Sequence, residues 1–153
     1  MGVWNTICTR LASNQICAMV TILQTRGSAP REAGARMIVL ANGGFSGTIG
    51  GGALEWGAIA MARAAITKTQ TDEFGPTLRQ SQQALGPDLG QCCGGSVSLL
   101  LEVFQPDRLA ELSVLAEAEK AGAFETESKI KVLQVERSVI AAGHPAREGW
   151  FRE

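Results

Sequence analysis

The chain opens with apolar residues at helical spacing and continues into a short apolar run. Val3, Ile7 and Leu11 lie four residues apart, which predicts an amphipathic helix from about residue 3 to residue 13. Residues 17–23 are almost entirely apolar and include β-branched side chains, which is typical of a strand buried on both faces. The N-terminal pattern therefore predicts a helix followed by a core strand.

A loop and a hairpin are predicted next. Residues 25–35 contain two glycines and a proline, which disfavour regular structure, so they predict an ordered loop. Residues 36–41 return to strand character. The Asn-Gly-Gly sequence at 42–44 then supplies the positive φ angles that a tight turn needs before a second strand at 45–49.

The middle of the chain holds one clear helix and one clear strand. The alanine-rich residues 53–68 predict a helix, because alanine is the best helix former and only one glycine interrupts the run. The polar residues 69–88 indicate at most a strand near 74–81. The aliphatic run at 96–104 predicts a buried strand.

A helix and one further strand are predicted towards the C-terminus. Asp107 is a suitable N-cap for a helix with an apolar stripe that ends at Gly122. Residues 130–135 alternate like a strand, whereas residues 142–153 show no clear period, and we expect a disordered tail there.

These elements together predict an α/β fold, with an α+β arrangement as the alternative. We expect a single compact domain in which flanking helices cover a mixed sheet that includes the hairpin. The chain has 153 residues, about one ordinary domain, and neither a repeat nor a low-complexity linker marks a second boundary.

Charge and hydropathy exclude several classes of partner. The formal net charge is −1, which gives no field that attracts a nucleic acid or an anionic membrane. No stretch approaches the ~20 apolar residues that span a bilayer, and the N-terminal residues show no basic segment followed by an uninterrupted apolar core. We therefore expect a soluble cytoplasmic protein without a nucleic-acid or membrane partner.

A glycine-rich turn is the first candidate for chemistry. Thr48 and Ile49 lead into Gly50, Gly51 and Gly52 between a strand and a helix, where backbone N–H groups and the helix dipole suit a phosphate or an acidic oxygen. The absence of a capping side chain predicts free amides, whereas Glu55 in the first helical turn opposes an anion. A tight structural turn without a ligand explains the glycines equally well.

Three arginines and a pair of cysteines are the other candidates. Arg26, Arg31 and Arg36 lie in and just after the predicted loop, and would offset Glu55 if they converge on the glycine turn. Ordinary solvated arginines are the alternative.

The adjacent thiols of Cys92 and Cys93 follow Gln91 and precede Gly94 and Gly95. In an accessible turn a thiolate can ligate a soft metal or carry sulfur. One buried thiol beside one incidental exposed thiol is the alternative.

Other catalytic signatures are missing from the sequence. No CxxC pair suggests a zinc site, and no HExxH, Walker A or Rossmann GxGxxG pattern occurs. His144 is the only histidine and lies in the weakly patterned tail, so nucleophilic catalysis has little support.

Three ordered motifs resemble the XdhC/CoxI family of xanthine dehydrogenase accessory proteins. They are the arginine loop 25–37, the glycine motif 47–55 and the double-cysteine motif 89–95. The resemblance covers roughly residues 3–120. It implies an N-terminal family domain at 1–122 and a C-terminal extension at 123–153, without the Rossmann-like domain of full-length members.

The resemblance also implies a function. It implies a non-enzymatic accessory protein that binds the molybdenum cofactor, molybdopterin with its metal, and delivers it to the apo large subunit of a molybdenum hydroxylase. A cysteine desulfurase is a further expected partner, and we expect a homo-oligomer.

The resemblance assigns residues to that function. The pterin or its phosphate falls to Arg26, Arg36, Thr48, Gly50, Gly51 and Gly52, while Cys92, Cys93 and Gly94 face the cofactor's metal end, with both cysteines as metal ligands. A small phosphate- or nucleotide-binding enzyme domain, and a split family member that only binds partners, are the alternative functions.

Overall fold

The described part of the chain contains three α-helices and eight strands. The computed structural model of the protein describes residues 2–71, 78–86, 94–122, 125–130, 135–140 and 150–152. The helices are α1 (Val3–Ala12), α2 (Gly52–Thr71) and α3 (Leu109–Ala121), and the strands are β1 (Cys17–Arg26), β2 (Arg36–Leu40), β3 (Phe45–Gly47), β4 (Leu78–Ala84), β5 (Ser96–Phe104), β6 (Glu125–Ile130), β7 (Val135–Ile140) and β8 (Trp150–Arg152). The chain divides into two compact units, one of Cys17–Val103 and the other of Met1–Ile16 with Phe104–Glu153.

The first unit is organised around β1. The strand order is β3-β2-β1-β5-β4, so β1 is the central strand. The first six residues of β1 are all buried, as expected for a strand that is apolar on both faces. Its last four residues alternate between half-buried and exposed, which marks the point where the strand leaves the core and leads into the arginine loop.

The predicted hairpin is confirmed. Strands β1, β2 and β3 pair antiparallel in sequence, with Cys17 opposite Leu40 and Val39 opposite Phe45. Between β2 and β3 the Gly43 amide donates to the Leu40 carbonyl over 2.9 Å, and Gly43 has a φ of +87°. A glycine is suited to that backbone conformation because it has no Cβ.

Helix α2 covers the hairpin side of the sheet. Its 20 residues include the buried Leu54, Ile59 and Ile66, and it packs against β1 and β2. Buried alanines such as Ala62 let the helix lie close to the strands. The predicted α/β class, with a hairpin-containing sheet and flanking helices, is confirmed.

The second unit pairs α1 with α3 and adds a three-stranded sheet. Trp4 and Phe104 meet edge to face, with their ring centroids 6.3 Å apart. Glu119 of α3 accepts hydrogen bonds from the Trp4 amide (3.3 Å) and the Asn5 amide (2.9 Å), so a side chain from one helix satisfies the first amides of the other. In the sheet, β6 lies between β7 and β8.

The C-terminal strands differ from the sequence expectation. Instead of one strand at 130–135, β6 ends at Ile130 and β7 begins at Val135, and these two residues pair across an antiparallel ladder. Residues 131–134 lie outside the described residues. A period-2 pattern continues through both arms of a hairpin, so it locates the strands without showing where the chain reverses.

A strand also lies within the expected disordered tail. Strand β8 pairs antiparallel with β6, with Ser128 opposite Phe151. Three residues are too few to produce a periodic signal, and the partner lies more than 20 positions away, so local sequence carries no sign of this pairing.

Helix α3 begins later in the chain than the sequence predicted. Asp107 was predicted as the N-cap, but it lies in a 3₁₀ turn at Pro106–Arg108, and Arg108 occupies the N-cap position without a side-chain capping bond. Proline fixes φ at the first position of this tighter turn, which moves the α-helix start towards the C-terminus. The strand expected near 74–81 is found as β4, and residues 74–77 of that range lie outside the described residues.

Candidate functional site

The glycine turn between β3 and α2 has a backbone that other residues rarely adopt. Gly50, Gly51 and Gly52 have φ angles of +128°, +75° and +61°. Three successive positive φ angles turn the chain sharply and point consecutive amides in one direction. Helix α2 begins at Gly52, so the turn also lies at the positive end of a helix dipole.

The Glu55 carboxylate fills this turn from within the chain. Its Oε2 accepts hydrogen bonds from the Thr48 hydroxyl (2.6 Å), the Ile49 amide (3.2 Å) and the Gly51 amide (2.9 Å). The Gly50 amide donates to the Thr48 hydroxyl oxygen over 3.1 Å. The side chain that follows the turn therefore stands where an external anion would bind.

These hydrogen bonds hold Glu55 in its charged form. Partial burial acts to raise the pKa of the Glu55 carboxyl. The bonds from the Thr48 hydroxyl and from the Gly51, Ile49 and Gly50 amides favour the carboxylate and outweigh that burial. The net effect lowers the pKa of Glu55 below its ordinary value of 4.5.

The predicted free amides are therefore only partly found. The amides of residues 49 to 51 are used inside the loop, so the expectation that they stay free is wrong. The carboxylate of Glu55, four residues after Gly51, accepts the hydrogen bonds that a capping side chain at residues 50–53 would otherwise accept. The amides of Gly52 and Ala53 make no hydrogen bond within the described part of the chain, and Gly52 is exposed.

The arginine loop lies against the glycine turn. A Cβ added at Gly50 would overlap the ring of Pro30, so proline and glycine are in direct contact. The Thr48 amide also donates to the Arg36 carbonyl over 3.1 Å. The first two sequence motifs are thus neighbours in space.

The same loop lies against the end of the double-cysteine motif. Ser28 and Gly94 form an isolated bridge, and a Cβ at Gly95 would overlap the carbonyl oxygens of Ser28 and Arg26. A Cβ at Gly27 would lie 3.2 Å from the Gly95 Cα. Cys92 and Cys93, which precede these glycines in sequence, lie outside the described residues.

The glycine turn and the Gly94–Gly95 end of the double-cysteine motif thus both contact the arginine loop within residues 27–35. The loop contacts the glycine turn through Pro30 and the second glycine pair through Ser28. Both contacts depend on a missing side chain, at Gly50 and at Gly95. Sequence analysis identified the three segments and their order, and the structure shows that the glycine turn and Gly94–Gly95 lie against the same loop.

None of the three predicted arginines donates to Glu55 in the bonds that hold its carboxylate. Arg26 is exposed at the end of β1, and Arg36 is half-buried at the start of β2. Among the described residues Glu55 receives hydrogen bonds from a hydroxyl and from amides, and no arginine pairs with it. Arg31 pairs with the adjacent Glu32 over 3.3 Å.

A small cavity lies beside the start of α2. It has a volume of about 150 Å³ and is lined by Ala53, Leu54, Gly57, Ala58 and Met61 of the helix and by Gln83 of β4. We call it the α2–β4 cavity. The sequence did not predict this cavity, because β4 and α2 approach each other through long-range contacts. The glycine at position 57, inside a helical segment, was the one local signal in the sequence.

The described residues contain neither a membrane-spanning helix nor a cluster of metal ligands. No helix in those ranges is both long enough and apolar enough to cross a membrane. Within the same ranges, no three histidine, cysteine, aspartate or glutamate side chains are grouped as a metal site.

Comparison with known proteins identifies the segment that carries the first two motifs. Residues 10–79 match the sequence model of the XdhC and CoxI family. This segment contains β1, the arginine loop, the hairpin, the glycine turn and α2.

Two further proteins resemble the chain. An uncharacterized protein, YqeB, from Escherichia coli strain K12 is 38% identical over 87 residues, which is 56% of this chain and 15% of that protein. A crystal structure of a xanthine dehydrogenase from Bacillus halodurans superposes with a TM-score of 0.73 at 22% identity and covers 98% of this chain. That likeness shows a shared fold.

The chain is shorter than both of these proteins. It spans 52% of the length of the Bacillus halodurans protein and 15% of YqeB. What either protein does as a whole is therefore not transferred to this chain by these comparisons.

Replacing Glu55 by glutamine tests the filled glycine turn. We expect Glu55→Gln to lower the free energy of unfolding by roughly 1–3 kcal/mol at pH 7, because hydrogen bonds to a charged acceptor are lost. The lowered pKa means that Glu55 stabilises the fold above its unfolded pKa, and that this contribution is lost as pH falls through the folded pKa. Urea unfolding at several pH values should show the difference between the two proteins shrinking below about pH 4.5.

Glu117→Gln is the matched control. Glu117 forms an exposed pair with Lys120 on α3, so its replacement should change stability little. A Glu55→Gln protein that matched the wild type at pH 7 would contradict the assignment of Glu55 as the carboxylate that holds the turn.

Replacing Gly95 by alanine tests the junction of the loop with the double-cysteine motif. The added methyl group would overlap the Ser28 carbonyl, so we expect a loss of roughly 1–3 kcal/mol of unfolding free energy. Gly86→Ala is the control, since nothing lies within 4 Å of a Cβ there, and it should stay within about 0.5 kcal/mol of wild type. Equal denaturant midpoints for the two variants would disprove the close approach.

Proposed function

We propose that this chain is a molybdenum-cofactor-binding accessory protein for a xanthine dehydrogenase or a related molybdenum hydroxylase. The match of residues 10–79 to the sequence model of the XdhC and CoxI family supports the accessory role. The observation that carries the proposal is the contact of both the glycine turn and Gly94–Gly95 with the loop of residues 27–35. In this proposal the chain acts in the cytoplasm as a chaperone and not as an enzyme.

The geometry of the glycine turn favours a phosphate at the amides of Gly52 and Ala53 over one at the amides of Gly50 and Gly51. The Gly51 amide donates to Glu55 and the Gly50 amide to Thr48, so a phosphate does not fit at these two without displacing Glu55. The amides of Gly52 and Ala53, at the positive end of α2, remain available. We therefore propose that Gly52 meets the phosphate, while Thr48, Gly50 and Gly51 shape the turn with Glu55.

The charges near the glycine turn favour a ligand that carries both hydrogen-bond donors and a negative charge. A full negative charge on Glu55 repels a phosphate and attracts hydrogen-bond donors. Arg26, exposed at the end of β1, supplies a positive charge on the loop side. The proposed ligand, a pterin with a phosphate arm, carries both N–H donors and a negative charge.

Cys92 and Cys93 complete the proposed site at the metal end. When bound, the cofactor supplies a molybdenum centre and its sulfur, which are soft partners for thiolates. The glycine pair after these cysteines lies against the loop through Ser28, so the motif is tied to the same junction. We propose that Cys92 or Cys93, next to Gly94, contacts molybdenum or its sulfur.

The proposed partners follow from this role. The apo large subunit of the molybdenum hydroxylase receives the cofactor, and a cysteine desulfurase supplies sulfur. A homo-oligomer is the proposed assembly of the chain itself.

Anaerobic cofactor binding is the direct test. Purified protein mixed with molybdopterin released from a molybdenum enzyme should retain it through gel filtration at about one per chain, as measured by oxidation to its fluorescent derivative. ATP, whose ring lacks the adjacent carbonyl and N–H groups of a pterin, should leave the unfolding midpoint unchanged in a thermal shift. Stabilisation by a nucleotide without retention of molybdopterin would support a nucleotide-binding domain instead, and failure to retain molybdopterin would refute the proposal.

The double variant Cys92→Ala/Cys93→Ala tests the thiols. We expect it to fold normally but to impair delivery of the sulfurated cofactor, because a soft ligand for the metal end is removed. The measurement is activation of an apo molybdenum hydroxylase, with Cys8→Ala as the control variant outside the motif. Wild-type activation by the double variant would refute the role of both thiols.

A further inference from the structure

The α2–β4 cavity is placed directly after the glycine turn. Ala53 and Leu54 of the first turn of α2 form one wall, and Gly57 and Ala58 of the second turn continue it. Gln83 faces them from β4. The cavity therefore adjoins the end of α2 where the amides of Gly52 and Ala53 are available.

The volume of the cavity suits one ring. A cavity of about 150 Å³ in an engineered apolar core accepts benzene, so this volume holds a single six-membered ring. Pockets for whole drug-sized ligands are larger, about 300 Å³ or more. The cavity is thus a subsite for part of a ligand, with the remainder outside it.

The walls suit a flat and mostly apolar surface. Ala53, Gly57 and Ala58 have small side chains or none, and Leu54 and Met61 are larger apolar residues. Small residues on one helix face leave a shallow, even surface against which a ring can lie. A methionine adapts its shape to a flat partner and makes favourable contacts with aromatic rings.

Gln83 gives the cavity its polar group. It is half-buried, and its side-chain amide makes no hydrogen bond to any residue in the described ranges. A primary amide presents an N–H donor and a C=O acceptor side by side. This arrangement matches a ring edge on which a carbonyl oxygen and a ring N–H are adjacent.

Gly57 leaves the cavity open without a structural need for glycine. A Cβ at Gly57 would meet nothing within 4 Å, and its φ angle is not positive. Glycine is among the least favourable residues inside a helix, and here neither a close approach nor an unusual backbone requires it. Any side chain at this position would instead project into open space at the cavity.

We infer that the α2–β4 cavity binds a single flat heteroaromatic ring with adjacent C=O and N–H groups, held by Gln83 and stacked on the α2 wall at Gly57. The pyrimidinone ring of a pterin has this chemistry, and guanine has it too. The choice of the pterin rests on the proposed function. The cavity would then hold the ring end of the cofactor, with the phosphate arm at Gly52.

The experiment compares ligand binding to variants that fill or neutralise the cavity. Gly57→Leu places a side chain in the cavity and removes an unfavourable helix residue, so the unfolding midpoint should stay the same or rise. Binding of 6-carboxypterin, followed by its fluorescence anisotropy, should weaken roughly tenfold or more. Ala60→Leu adds a similar side chain at an exposed position of α2 that does not line the cavity, and should bind as wild type does.

A second variant tests the polar group without filling the cavity. Gln83→Leu keeps the size of the side chain but removes the amide, and should weaken binding roughly threefold to tenfold. Guanosine 5′-monophosphate and adenosine 5′-monophosphate distinguish ring sources, because only guanine presents the adjacent carbonyl and N–H. Gln83→Leu should weaken the binding of both 6-carboxypterin and guanosine 5′-monophosphate. If wild type binds these two ligands equally well, the ring chemistry is supported and the choice of the pterin over guanine is not.

The outcomes separate this inference from the proposed function. If molybdopterin binds wild type and both cavity variants equally, the proposed function stands and the ring subsite is overturned. If molybdopterin binds none of them while 6-carboxypterin binds wild type but not Gly57→Leu, the subsite stands and the cofactor role fails. If 6-carboxypterin and guanosine 5′-monophosphate both fail to bind wild type, the inference is overturned.

Discussion

The close approach of the loop of residues 27–35 to two glycines is the constraint on which the proposed site depends. The loop of residues 27–35 lies between Gly50, which touches the Pro30 ring, and Gly95, which touches the Ser28 carbonyl. A side chain at either position would push the loop away from its neighbour. Because the neighbours are a rigid proline ring at Gly50 and main-chain carbonyls at Gly95, neither can shift easily to make room for a Cβ.

The Glu55 carboxylate changes what the glycine turn can do. An empty turn at a helix N-terminus attracts an anion, and this is the usual reason for glycines in such a place. Here three donors converge on one oxygen of Glu55, so the turn is already satisfied and negatively charged. The start of α2 therefore presents two different groups side by side, the available amides of Gly52 and Ala53 and the fixed carboxylate of Glu55.

Helix α2 links the turn to the cavity. Its first residue, Gly52, ends the turn, its fourth, Glu55, holds the turn, and its sixth, Gly57, opens the α2–β4 cavity. Leu54 and Ile66 of α2 are buried in the core, and they hold the helix against the sheet. A change in the position of α2 on the sheet would therefore alter the turn and the cavity together.

The sequence by itself determined the local elements and the three motifs. The apolar run of β1, the Asn-Gly-Gly hairpin turn and the alanine-rich α2 follow from local chemistry, since buried strands, positive φ angles and helix propensity act over a few residues. Only the tertiary structure decided that Glu55 occupies the turn, that Pro30 and Ser28 bring the motifs together, and that Gln83 faces Gly57. These are contacts between residues distant in sequence or side-chain orientations within a turn, and no local periodicity encodes them.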